Sequence, residues 1–77
     1  MQTSLSDVLI HIDETLPAEK RAEVEDRLRE IDGVVSVHNP DEKPHLTIVE
    51  YVPNKTNAQA LLQGVQAQGC HAELVGL

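Results

Sequence analysis

Four prolines and two of the four glycines cut this 77-residue chain into six short pieces, and that punctuation constrains its fold more than anything else. Asp7-Val8-Leu9-Ile10-His11-Ile12-Asp13 is short and β-branched, and reads as a strand. Val8, Ile10 and Ile12 face one side of it, Leu9 and His11 the other. Proline is tolerated only in the first turn of a helix, so a helix begins near Pro17. It runs to Ile31 with Val24, Leu28 and Ile31 inward, and Asp32-Gly33 stops it. Its outer faces are crowded with charge. Glu23 with Arg27, and Glu25 with Arg29, stand four residues apart, each such pair adding about 0.2–0.5 kcal/mol.

Val34 to His38 is a second strand, and Asn39-Pro40-Asp41-Glu42-Lys43-Pro44 a turn that no ladder can cross. His45 to Val52 is the third strand. Both its sides are apolar, which suits a central position but leaves open which side meets the helices. Pro53-Asn54-Lys55 breaks it. Thr56-Asn57-Ala58-Gln59 reads as a capping box for a second helix, with Ala58, Leu61, Leu62 and Val65 inward and an end at Gly69. Cys70 to Leu77 alternates as a fourth strand. Strand-helix-strand-strand-helix-strand with right-handed crossovers makes an α+β, ferredoxin-like βαββαβ two-layer sandwich. Its sheet is four-stranded and antiparallel, with both helices on one face. The expectation is one domain over 1–77, flexible over 1–6.

Composition narrows the function. Thirteen acidic and six basic residues leave a net charge of −7, and Tyr51 is the one aromatic side chain able to stack on a base, so nucleic acid is excluded as a partner. A basic protein or a cation fits better. One cysteine excludes an internal disulfide framework. No apolar run approaches the ~20 residues of a membrane span, and the start lacks a signal-peptide pattern, so no membrane insertion and a cytoplasmic location are expected. Eight carboxylates and four basic residues lie between Asp13 and Asp32, either as a guide for a basic partner or as an ordinary solvated face. No nucleophile-base-orienter set is visible, so an enzyme is not expected.

Val24…Leu28…Ile31-Asp32-Gly33-Val34…Val37, Tyr51-Val52-Pro53-Asn54-Lys55-Thr56 and Gln68-Gly69-Cys70-His71-Ala72-Glu73-Leu74-Val75 follow one another at set separations. Together they resemble the heavy-metal-associated domain family, the ferredoxin-like modules of copper chaperones, metal-pumping ATPases and mercury-binding proteins. The resemblance covers nearly all of Asp7 to Leu77. It implies a Met-x-Cys-x-x-Cys metal loop between the first strand and first helix. Counted back from Gly33, its two cysteines fall on Pro17 and Lys20, and Thr15 stands where the methionine belongs. Proline offers no donor atom and an ammonium repels a cation. The resemblance therefore implies the fold without the family's thiolate exchange.

Three functions remain. The first is a non-catalytic module that has lost its thiolate site and serves interaction or regulation, as a homodimer through its uncovered sheet face or with another protein. The second is divalent metal binding (Zn, Ni or Cu) by His11 and His71, with or without Cys70, and with Asp13 or a second chain completing the shell. It supposes that His11 and His71 meet across paired first and fourth strands, ~5 Å apart at their β-carbons. Its structural counterpart is two histidines on a solvated sheet face and a buried apolar cysteine. His38 and His45 flank the hairpin and face each other in this scheme, or are simply polar shoulders. The third is a small-molecule sensor of the ACT type, whose glycine-bearing loop has no counterpart between Asp7 and Asp32.

Overall fold

The computed structural model describes residues 4–75. Its elements are β1 (Ser6–Ile12), α1 (Ala18–Arg29), β2 (Val34–His38), β3 (Leu46–Tyr51), α2 (Ala58–Gln66) and β4 (Ala72–Val75). The sheet order is β2-β3-β1-β4, and all neighbouring pairs are antiparallel. This is the expected ferredoxin-like βαββαβ sandwich. Of the stretch expected to be flexible, Ser6 instead opens β1, and 1–3 lie outside the described residues. The last strand is shorter than Cys70–Leu77, starting at Ala72, and 76–77 lie outside the described residues.

The register settles which side of β3 is which. Val8 pairs with Val49 and Ile10 with Thr47, and paired residues share a face. Thr47 and Val49 therefore join Val8, Ile10, Ile12 and Val37 in the buried layer. Val24 and Leu28 of α1, and Leu61, Leu62 and Val65 of α2, close it from above. Leu46, Ile48 and Glu50 share the opposite, uncovered face with Leu9 and His11.

The helix starts depend on different groups. Pro17 caps α1 with extended backbone and no side-chain cap, and its carbonyl accepts the Arg21 N–H at 3.0 Å. For α2 the expected Thr56 cap is replaced by Asn57, whose side-chain oxygen accepts the Ala60 N–H at 2.8 Å. Thr56 is instead buried, so its position serves packing. Arg29 pairs with Glu25 at 3.3 Å as the spacing predicts, and also reaches Asp26 and the Val37 carbonyl, tying α1 to β2. Arg27 pairs with Glu30 rather than Glu23.

Gly33 holds φ +101° where α1 turns into β2, and a β-carbon there would sit 2.7 Å from Lys55 Cβ. Only glycine meets both conditions. At Gly64 a β-carbon would lie 3.2 Å from Ile31 Cδ1, so this position lets α2 approach the end of α1 closely. The helix itself ends at Gln66 with Ala67 as its cap, before Gly69.

Candidate functional site

The end of β1, the hairpin after β2 and the start of β4 meet at one end of the sheet, and the chain's concentration of histidine and carboxylate is there. The Asp13 N–H donates to the His71 carbonyl at 2.8 Å, and the Ile12 N–H to the His45 carbonyl at 2.8 Å. These two bonds extend the ladders past the ends of the strands and pin the three segments together.

The register changes the expected histidine pair. His11 stands opposite Glu73 of β4, not opposite His71. His71 lies two residues further along, past the Ile12–Ala72 pair and beside Asp13, and its partner is Glu14. Its backbone N–H donates to both Glu14 oxygens, at 2.9 and 3.1 Å, and its ring Nδ1 lies 2.7 Å from Oε2. A carboxylate only accepts, so that ring nitrogen carries the proton. These hydrogen bonds hold the Glu14 carboxyl below its ordinary range and push the His71 imidazolium above its own.

Around His11 the described residues gather Asp13 and Glu73. One ring nitrogen and one oxygen from each carboxylate lie within 4.8 Å of one another. His11 Nδ1 is 3.2 Å from Asp13 Oδ1. The His45 ring stacks on that of His11, with centroids 5.7 Å apart and planes at 16°. His45 Nδ1 lies 2.7 Å from the Ile12 carbonyl, which fixes its ring. His45 thus turns toward His11 and not toward His38, which is paired with Ile48.

Cys70 does not join this group. It is 7% exposed and packs in the core cluster. Burial pushes its thiol above the ordinary range; the nearby Glu14 charge adds to this and Lys20 opposes it. Pro17 closes the loop after β1, and the Lys20 ammonium lies 3.5 Å from Glu23 on the first turns of α1.

Sequence reasoning placed His11 and Asp13 in one neighbourhood and set His45 against His38, but gave Glu73 and Glu14 no role in a site. The alternation of His71, Glu73 and Val75 was the available signal for Glu73, since it put that carboxylate on the His11 face. Nothing local pointed to the His45 ring, because its position depends on the β1–β3 register.

Solved structures place this arrangement among known folds. A copper binding domain from a P-type ATPase superposes with a TM-score of 0.82 at 17% identity, over 91% of this chain and 93% of that one. Oxidized MerP from Ralstonia metallidurans gives 0.82 at 17% identity, over 92% and 97%. This is the heavy-metal-associated fold. The CopZ metallochaperone shares it with a TM-score of 0.77 at 23% identity, over 91% of this chain and all of that one. No family model matches the sequence. No curated protein matches it either. On this heavy-metal-associated fold, the loop from Asp13 to Lys20 contains no cysteine. Among the described residues no helix is long and apolar enough to cross a membrane.

Proposed function

We propose that this chain is a non-catalytic module on the heavy-metal-associated fold that carries no soft metal in its first loop and works by engaging a protein partner. The observation behind this is the chemistry at Pro17 and Lys20, where the family resemblance puts two thiolates. Pro17 contributes no donor, and Lys20 brings a cation already held by Glu23. A soft monovalent copper ion selects thiolates. The single thiol, Cys70, is buried and pushed toward its neutral form, which is a poor metal ligand.

The net charge of −7 favours a basic partner, approached through the acidic stretch from Asp13 to Asp32. A homodimer through the uncovered sheet face is the alternative arrangement. The solved neighbours are copper-binding or metallochaperone domains, which supports a role outside catalysis.

A Cu⁺ titration in competition with a chromogenic copper chelator tests the central point. The chelator should retain all the copper. A one-to-one protein complex that survives the chelator would overturn the proposal. For the partner, binding should weaken as ionic strength rises and when Glu23 and Glu30 are both changed to Lys. A complex indifferent to both would remove the electrostatic part.

A further inference from the structure

The geometry points to a divalent-cation site on the uncovered face of the sheet, built from His11, Asp13 and Glu73 and selecting borderline ions of the Zn²⁺ class. It uses one nitrogen and two carboxylate oxygens, a donor set that suits Zn²⁺ and its first-row neighbours and offers nothing to a soft ion. It stands apart from the proposal of a thiolate-free module, because ligation by nitrogen and oxygen needs no sulfur.

Three observations carry it. The first is convergence: the three donor atoms lie within 4.8 Å of one another. Ligands of one zinc ion, each about 2.0–2.2 Å from it, stand some 3–4 Å apart, so a small rotation of exposed side chains closes the set. The second is the support beneath them. His11 and Glu73 are a directly opposed pair of β1 and β4, and the Asp13 N–H is bonded to the His71 carbonyl. The ladder therefore holds all three backbones, and the parallel His45 ring restricts the His11 imidazole from the side. The third is charge. Two carboxylates share this small volume, and among the described residues their ion-pair partner is His11 for Asp13, with no lysine or arginine bridged to either. A divalent cation would neutralise both at once. Its remaining positions would be open to water or to a ligand from outside.

The probe is Zn²⁺ alone, titrated into the full chain by calorimetry and followed by NMR of the histidine rings. One ion should bind per chain, with His11 perturbed most and its stacked neighbour His45 next. His11→Ala and Glu73→Gln should each weaken binding by about tenfold or more. His71→Ala and Cys70→Ser should leave it unchanged. No saturable binding, or binding that survives both ligand changes, would overturn the site. Loss of binding in His71→Ala or Cys70→Ser would overturn it too, moving the metal to the neighbouring loop. Should His11→Ala fail to fold, Glu73→Gln decides alone, because Glu73 is exposed and its change removes charge without removing packing.

Discussion

Along β1, Val8, Ile10 and Ile12 are almost closed to solvent, while Leu9 and His11 between them lie half open on the other side. The same alternation runs through β3, where Thr47 and Val49 are buried and Ile48 is 36% exposed. The side under the helices holds aliphatic side chains with Thr47 among them and a buried thiol. The other gathers histidines and carboxylates near the end of the sheet. One backbone supports both because successive strand residues point opposite ways. The covered side supplies the stability and the uncovered side has room for polar chemistry, so a substitution should reveal which side it falls on.

The largest effect should come from the covered layer. Ile10→Ala removes a fully buried side chain in the central strand and should cost about 2–5 kcal/mol in urea unfolding. A loss below 1 kcal/mol by the same arithmetic would break the contrast between the faces. Next is the helix that covers that layer. Asn57→Ala removes the cap of α2 and should cost about 1 kcal/mol, while Thr56→Ser, which keeps a hydroxyl but removes a buried methyl, tests whether Thr56 acts by packing instead.

On the uncovered side, Ile48→Thr should shift stability by no more than about 0.5 kcal/mol. A change of core size there would mean that a second copy or another chain covers this face in solution. The smallest effect is the Glu14–His71 pair. His71 has its pKa raised in the folded chain, so its share of stability is present below the ordinary histidine range and is lost as pH climbs through the raised value. Glu14 has its pKa lowered, so its share is present above the ordinary glutamate range and is lost as pH falls through the lowered value. The pair therefore helps most in the mildly acidic window between those ranges. Glu14→Gln should lower the melting temperature slightly more at pH 5.5 than at pH 8, and the His71 ring titration should move down in NMR. An unmoved His71 titration would show that the pair does not form in solution.

Much of this architecture is legible in the sequence. The six elements follow from β-branched runs and breakers, and their order admits few topologies once crossovers are right-handed. The left-handed turn at Gly33 was legible because it depends on the local backbone, but α1 itself ends earlier than Ile31, at Arg29 with Glu30 as its cap. The α2 cap was misplaced by one residue, at Thr56 instead of Asn57, since adjacent polar residues offer nearly equivalent caps and packing chooses between them. The parity of β3 was hidden because its two faces are similarly apolar. The metal-ligating candidates were half legible: the alternation of β1 puts His11 on the uncovered face, but its partner across the strand pair is Glu73 and not His71.

The sequence by itself determined the elements, their order, the absence of cysteine between Asp13 and Lys20, and which residues of β1 point the same way. Those are properties of short stretches, set by backbone sterics, side-chain period and donor chemistry. The tertiary structure alone decided that Glu73 stands opposite His11, that Glu14 holds His71 and that His45 stacks on His11. Each joins residues distant in the chain across a strand pairing or a loop contact. A shift of one residue in that pairing turns a side chain to the other face, and a shift of two exchanges His71 for Glu73.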